Sequence, residues 1–227
     1  MNELEFISKL KENNIELSEE MIKKFAQYFN LLIEYNNVMD LTAVEESEIY
    51  ERHFFNSLTI AFNEDFNILN LCDVGAGAGF PSIPLKIIFP NMKLTIIDPL
   101  SKRMDFLKIV IDKLNLKDVE LLYLRAEDAS KKYKERFDIV TARAVARLNI
   151  LVELVGQLVK VNGTFISMKG EKGIEELNEA NNALKICNME LIKETRFDRS
   201  INLFFKKVGR IDNKYPRNYG QIKKKPL

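Results

Sequence analysis

The chain has 227 residues, of which 46% are apolar and 30% charged. That is long and apolar enough to bury a sizeable core in one domain, and it excludes an intrinsically disordered chain. The formal net charge of +1 conceals an asymmetry: residues 1–70 carry 5 basic and 14 acidic residues, net −9, while residues 193–227 carry 11 and 3, net +8. The two ends therefore present opposite fields to a partner.

The amino terminus, MNELEFISKLKENN, lacks the cationic lead and apolar run of a secretory signal. No stretch approaches the roughly 20 apolar residues of a membrane-spanning helix. The two cysteines, Cys72 and Cys187, are far apart, and His53 is the single histidine, which argues against a disulfide framework and against a Cys/His zinc site. The expectation is a reduced, cytoplasmic, metal-free monomer without a membrane segment.

The first third reads as helical. Ser18 is placed to cap a helix with Glu19 and Glu20 in its first turn, and Ile22, Phe25, Phe29, Leu32 and Ile33 recur at three- and four-residue spacing to about Asn36 and Asn37. A second helical pattern runs from about Glu46 through His53, Phe54, Phe55, Leu58 and Ile60. From Ile68 the pattern changes. ILNLCDV is a short apolar run ending in GAGAG, followed by helical PSIPLKIIF, strand-like KLTIID, amphipathic SKRMDFLKIVIDKLNL, and strand-like VELLYL and FDIVTA. A helix through LNILVELVGQLV, a strand GTFISM and a helix EKGIEELNEANNALKI follow. Such alternation predicts an α/β fold, a mostly parallel sheet covered on both faces. MELIKETR and INLFFKKV, separated by FDRS, read as a terminal antiparallel hairpin. The expected organisation is a helical cap over residues 1–65, the main α/β domain over 66–208 and a basic tail over 209–227.

Gly75, Gly77 and Gly79 fall between the first strand and its helix, where positive φ lets a ligand lie against bare backbone. They could also simply form a tight turn. Asp98 ends the second strand roughly 20 residues downstream, where a carboxylate accepts both hydroxyls of a ribose. A dinucleotide fingerprint would place its third glycine where Phe80 stands, followed here by Pro81. A ring and a proline at the helix entry suit a nucleoside without phosphates, such as S-adenosylmethionine. A third contact, to adenine, is expected at the carboxyl end of the third strand, where LRAEDAS places Ala126, Glu127 and Asp128; the acids could equally be solvated loop residues.

The fourth strand runs into Thr141, Ala142, Arg143, Ala144, Val145, Ala146 and Arg147. It lacks the polar-proline-proline-aromatic cluster of amino-group methylation, a cysteine nucleophile for pyrimidine carbon, and clustered carboxylates for a metal. An acceptor already nucleophilic at neutral pH, such as guanine N7, needs none of these. Arg143 is then expected to hold guanine O6, a phosphate or the cofactor's carboxylate, because N7 must stay free to attack. A cation at a helix start sits on the unfavourable end of the dipole, which argues that Arg143 and Arg147 are more than surface charges.

Together LTAVEESEIYERHFFNSL, DVGAGAGFPSIPLKIIFP, DPLSKRMDFL, RAED, TARAVA, MKG and KYPRNYGQIKKKPL closely resemble the bacterial 16S ribosomal RNA guanine-N7 methyltransferases, the glucose-inhibited division protein B family. The resemblance runs from about Asp40 to Leu227. It implies a class I (Rossmann-like) methyltransferase fold, S-adenosyl-L-methionine as donor, and a guanine of 16S small-subunit RNA as acceptor. It implies cofactor contacts at Gly75, Phe80, Asp98, Pro99, Leu100, Ala126, Glu127 and Arg143. Pro99 stands where the family usually has serine, and Asp40 where asparagine is common. By the same resemblance the face carrying Arg52, His53 and Ser57 borders the site. His53 would orient the base, since N7 has no proton to give. Taken alone, a histidine beside Phe54 and Phe55 is more often a packed core residue.

Lys169 follows the fifth strand and joins Arg143 and His53 as a candidate at the reacting centre. Arg52, Lys206, Lys207, Arg210, Lys214, Arg217, Lys223, Lys224 and Lys225, interleaved with Tyr215 and Tyr219, are candidates for phosphate contacts. The other readings are a methyltransferase for transfer RNA or a small molecule, a non-catalytic RNA-binding module that keeps the pocket, and a dinucleotide oxidoreductase.

Overall fold

A computed structural model describes residues 1–62 and 64–227. Two amino-terminal helices come first, α1 (Glu3–Glu12) and α2 (Glu19–Met39). Asn2 and Glu5 form a reciprocal capping box on α1, each side chain accepting the other's backbone amide at 2.9 Å. Ser18 caps α2 by accepting the Met21 amide at 3.2 Å. Asp40 ends α2 in the left-handed region with φ 50°, a conformation that Asp and Asn tolerate. The helical stretch expected from Glu46 winds unevenly: a 3₁₀ turn (Glu46–Glu48), a π-helix (Tyr50–Phe55), one α turn α3 (Asn56–Leu58) and another 3₁₀ turn (Thr59–Ala61). π-turns occur most often where a side chain must be re-aimed for function, and this one carries Arg52 and His53.

The remaining elements alternate as expected. They are β1 (Asn70–Val74), α4 (Ser82–Ile88), β2 (Lys93–Ile97), α5 (Ser101–Lys113), β3 (Val119–Leu122), α6 (Ala126–Lys132), β4 (Phe137–Arg143), α7 (Leu148–Val155) and β5 (Val159–Lys169). Then follow α8 (Gly173–Glu179), α9 (Asn181–Ile186), the hairpin β6 (Met189–Phe197) and β7 (Ser200–Lys207), and α10 (Tyr219–Lys224). The sheet order is β3-β2-β1-β4-β5-β7-β6, parallel from β3 through β5, with β7 antiparallel to both β5 and β6. Chain order reverses between β1 and β4, so a crevice opens at their carboxyl ends.

Successive strand residues point to opposite faces. Leu71, Leu94, Ile139, Ile166 and Phe204 pack with α1, α2, α4, α5 and the residues around Phe54; Cys72, Val140, Phe165, Leu203 and Phe205 pack with α6 to α10. Both faces are buried, which is why the strands read as near-continuous apolar runs. The amino-terminal helices share one core with the sheet. No helix among the described residues is long and apolar enough to cross a membrane.

Four sequence expectations need adjustment. α1 was not predicted. The helix expected through Val159 stops at Val155, where Gly156 packs against Ile211 and leaves no room for a Cβ, and Val159 instead starts β5. The single helix expected before the hairpin is broken at Ala180. Ala126 and Glu127 open helix α6 instead of ending a strand, since β3 stops at Leu122.

Candidate active site

The loop leaving β1 holds Gly75 at φ 72°, Gly77 at 59° and Gly79 at 104°, and each glycine does something different. A Cβ on Gly75 would meet Val145 at 2.6 Å, so the loop after β4 lies directly on it. A Cβ on Gly79 would meet Ile83 at 2.6 Å, the Tyr28 hydroxyl at 2.8 Å and Leu107 at 2.9 Å, whereas a Cβ on Gly77 has nothing within 4 Å. Gly79 therefore provides the close helix packing, and Gly77 faces open space. Tyr28, fully buried on α2, donates its hydroxyl to the Ala78 carbonyl at 2.5 Å and anchors the loop from below.

These environments separate two substitutions. Gly79→Ala combines three collisions with an unfavourable φ and is expected to cost about 3 kcal/mol or more of stability. Gly77→Ala should cost only about 1 kcal/mol of backbone strain, yet weaken S-adenosylhomocysteine binding because its methyl projects into the crevice. Thermal melts and calorimetry on the two variants check the contrast.

The amino-terminal amides of α4 are already engaged. Phe80 N donates to Ala76 O at 3.0 Å, Ile83 N to Gly79 O at 2.8 Å and Ser82 N to the Asp73 carboxylate at 3.2 Å, while Pro81 has no N–H. A pyrophosphate at the start of α4 would meet these engaged amides and the buried Asp73 carboxylate. Asp98 offers the opposite. It is 1% exposed; Oδ1 accepts the Leu100 amide at 2.9 Å, but Oδ2 has no hydrogen-bond partner, with only the Arg103 guanidinium at 3.6 Å. A buried carboxylate oxygen without a donor is costly unless a ligand supplies one. Ribose hydroxyls fit that need, so the residues present suit an adenosyl group and not a dinucleotide. Ala126 and Glu127 are half-buried at the start of α6, and Pro99 and Leu100 are exposed beside Asp98.

Phe80 is packed into the floor of the site. Its side chain is 3% exposed, stacked on His53 with centroids 4.2 Å apart and on Tyr28 at 5.5 Å, with the Arg143 guanidinium 5.0 Å from its centroid. Aromatic neighbours and a cation thus hold the ring in place at the entry to α4.

Arg143 ends β4 as a hub. It donates to the Arg52 carbonyl at 3.3 Å, Asn56 Oδ1 at 3.4 Å and His53 Nδ1 at 3.1 Å. Burial lowers its pKa to about 10, with Asp73 and Tyr28 opposing, so it stays cationic. Arginine has no lone pair, so His53 Nδ1 accepts and its ring proton lies on Nε2, which donates to Thr42 Oγ1 at 2.6 Å. Burial, then the charges of Arg143 and Arg52, push the imidazole down to about 3. His53 is thus a neutral, 8% exposed, fully engaged side chain. Ser57, which was expected to share its face, is buried and donates to the His53 carbonyl at 2.6 Å. Asp73 lies fully buried near this hub, accepting from Ser82 N and from Thr141 Oγ1 at 3.2 Å. Burial pushes its carboxyl up to about 7 against the pull of those donors and of Arg143.

A cleft of about 520 Å³ opens beside Arg143, lined among others by Arg52, Asn56, Val145, Lys169 and Ser200. Lys169, expected from the sequence at the reacting centre, lines this cleft with its ammonium already engaged. Its ammonium donates to the Ala146 carbonyl at 2.6 Å and pairs with Glu176 at 2.8 Å, while Glu176 also accepts the Leu148 amide at 2.8 Å. Burial lowers the Lys169 pKa. The triad pins the loop between β4 and α7, including Ala144 at φ 56°, and makes Lys169 a positioning residue. Arg147 is a surface charge after all, 49% exposed and paired with Glu175 and Glu179. Those two acids offset the unfavourable dipole that argued against such a place.

The basic residues divide. Arg52 is exposed at the cleft, paired with Glu48 at 3.0 Å. Lys207 is fully buried: its ammonium donates to the Val159 carbonyl at 2.8 Å and faces Glu135 at 3.4 Å. Arg217 grips the buried Glu153 with its backbone amide, Nε and Nη2 at 2.9, 2.8 and 2.6 Å. Both are RNA candidates in the sequence; here Lys207 ties the end of β7 to the start of β5, and Arg217 ties the carboxyl-terminal segment to α7. That segment crosses the end of the sheet opposite the cleft, where Gln157 Nε2 donates to the carbonyls of Ile211, Asp212 and Tyr215. Lys206 is half-buried; Arg210, Lys214, Lys223, Lys224 and Lys225 are exposed.

The sequence missed Asp73, Tyr28, Thr42, Asn56 and Ser200. Only Asp73 left a signal, as a lone acid inside an apolar strand.

Residues 21–202 match the family described as rRNA small subunit methyltransferase G. The chain is 47% identical over 240 residues to a ribosomal RNA small subunit methyltransferase G of Lactobacillus acidophilus, covering 100% of both chains. It is 47% identical over 219 residues to the protein of that name from Mycoplasma capricolum subsp. capricolum, covering 93% of this chain and 94% of the relative. Its fold is similar to that of a SAM dependent methyltransferase from Aquifex aeolicus, with TM-score 0.56 and 16% identity over 71% of this chain and 93% of the other.

Proposed function

Because the chain belongs to the rRNA small subunit methyltransferase G family, we propose that it methylates N7 of a guanine in 16S ribosomal RNA, with S-adenosylmethionine as donor. The observation that carries N7 is the absence, among the described cleft residues, of a group free to take a proton. His53 has both ring nitrogens engaged, and Glu176 is held by Lys169 and the Leu148 amide. An amino or hydroxyl acceptor would need a base there; guanine N7 carries a lone pair and no proton.

Bound S-adenosylmethionine supplies an electrophilic methyl on a sulfonium centre. The protein's part is alignment, which holds reacting atoms roughly 3–3.5 Å apart. Asp98 takes the ribose hydroxyls on its unpartnered oxygen, Gly77 leaves the crevice open, and Ala126 and Glu127 border the adenine. Arg143 and His53 hold the cap's π-helix against the end of β4, and the Lys169–Glu176 pair holds the loop lying on Gly75. The guanidinium is tied to three acceptors, away from the nitrogen that becomes cationic.

The test is transfer of labelled methyl to small ribosomal subunits lacking the modification, with digestion to nucleosides. 7-Methylguanosine in the small-subunit RNA is the expected product. No transfer to subunits or their naked RNA, with S-adenosylhomocysteine still bound, overturns the substrate assignment.

The substrate reading extends to the tail. Lys223, Lys224 and Lys225 would meet phosphates remote from the cleft, with the protein acting as a cytoplasmic monomer. Neutralising all three should reduce the salt slope of RNA binding by about 2, at roughly 0.7 per single-strand phosphate contact. S-adenosylhomocysteine affinity should not change. An unaltered salt slope removes the tail from the interface.

A further inference from the structure

Guanine presents O6 beside N7 on one edge, so a site that aims N7 at the methyl must also satisfy O6. Among the side-chain donors around the cleft, Arg143 is tied to the Arg52 carbonyl, Asn56 and His53. Lys169 is tied to Ala146 O and Glu176. Arg52 is 58% exposed and paired with Glu48, placed for a phosphate. A full positive charge against this edge would also oppose the cationic product ring.

Ser200, the first residue of β7, brings a neutral hydroxyl to the same cleft. Asn56 and Ser200 both line the cleft of about 520 Å³ and an adjoining one of about 610 Å³, and they meet between the two. The polarity of their contact is set by Arg143. The guanidinium only donates, so the Asn56 atom facing it at 3.4 Å is the carbonyl oxygen, and the other amide atom, Nδ2, donates to Ser200 Oγ at 2.5 Å. Ser200 Oγ thereby accepts one bond, and its own proton has no hydrogen-bond acceptor among the described residues. A chain of donors leads from Arg143 through Asn56 to one hydroxyl proton at the cleft.

Resting on the guanine-N7 reading, we infer that Ser200 is a specificity residue that donates its hydroxyl proton to O6 of the target guanine. Adenine carries an amino group at that position and would leave the proton unpartnered. The hydroxyl is neutral, so it satisfies O6 without placing a charge against the methylated ring. Asn56 is a positioning residue, which turns the hydroxyl into the cleft.

The experiment compares wild type, Ser200→Ala and Ser200→Thr on small subunits whose target position, mapped as the methylated guanine, carries either guanine or 2-aminopurine, which keeps N7 and lacks O6. On guanine, Ser200→Ala should lower kcat/KM by roughly three- to tenfold, the range for one neutral hydrogen bond, and Ser200→Thr should restore most of it. On 2-aminopurine, wild type and Ser200→Ala should react equally slowly. Equal losses on both bases would mean that Ser200 only shapes the cleft, and no loss on guanine would assign O6 to another donor; either result overturns the inference. Failure of the guanine-N7 reading itself is distinct, because wild type would then form no 7-methylguanosine.

Discussion

Arg143→Ala is expected to lower methyl transfer by at least about 100-fold, the loss that accompanies a displacement of about 1 Å at a site working by alignment. The guanidinium joins β4 to the π-helix through the Arg52 carbonyl and His53, reaches Asn56 and covers the Phe80 ring. Alanine leaves His53 Nδ1 without a donor and removes the positive charge that moderates the buried Asp73 carboxyl. Hydrogen bonds from a charged donor are worth about 1.5–3 kcal/mol each, and a partner left buried and unpaired adds its own cost. Stability should fall by about 2–4 kcal/mol, so the alanine variant alone does not separate folding from alignment. Arg143→Lys does. It keeps the charge but lacks the planar fork and cannot serve three acceptors at once. It should melt close to wild type and still lose about tenfold or more in turnover. Wild-type turnover in the lysine variant would remove the guanidinium's geometry from the mechanism, and wild-type turnover in both would remove Arg143 from the site.

Asp98→Ala should weaken S-adenosylhomocysteine binding by roughly 100- to 1,000-fold, the equivalent of two hydrogen bonds to a charged acceptor. Asp98→Asn should lie between wild type and alanine, because the amide keeps an oxygen for the Leu100 amide but loses the charge. The free protein should respond in the opposite sense. Oδ2 is buried without a donor before the ligand arrives, so replacing the carboxylate relieves a strain on the empty state and should hold or raise its melting temperature. Calorimetry and thermal melts on the same preparations read the two signs. Unchanged affinity in Asp98→Ala would mean that the ribose does not lie on Asp98, whatever the melt shows.

The elements that the sequence foretold are those whose signal lies within a short window. Ser18 followed by Glu19 and Glu20 announces α2, and the helix is capped there. The apolar run before Gly75 announces β1. The glycine spacing distinguishes this loop from a dinucleotide fingerprint, and the structure supplies the reason in the engaged amides of α4. The signal for α1 is equally local, since Asn2 and Glu5 stand at capping-box spacing.

Tail charges were read as one class because a sequence does not display which cations have buried partners. Lys207 meets Glu135 and Arg217 meets Glu153 across 72 and 64 residues. The first pairing depends on β7 lying beside β5, and the second on the tail folding across the sheet, where Ile211 and Ile222 join the core.

The sequence by itself determined the alternation of strands and helices, the glycine loop, the acid after the second strand and the family, since periodicity, turn chemistry and motifs are local properties. Only the tertiary structure decided what each polar group at the site is free to do. His53 is neutral because it is buried beside the Arg143 and Arg52 cations, Lys169 is a brace because Glu176 faces it, and Ser200 offers a proton because Asn56, 144 residues away, donates to its oxygen. The protonation and direction of a hydrogen-bonding group are set by its neighbours in space, and here those neighbours come from opposite ends of the chain.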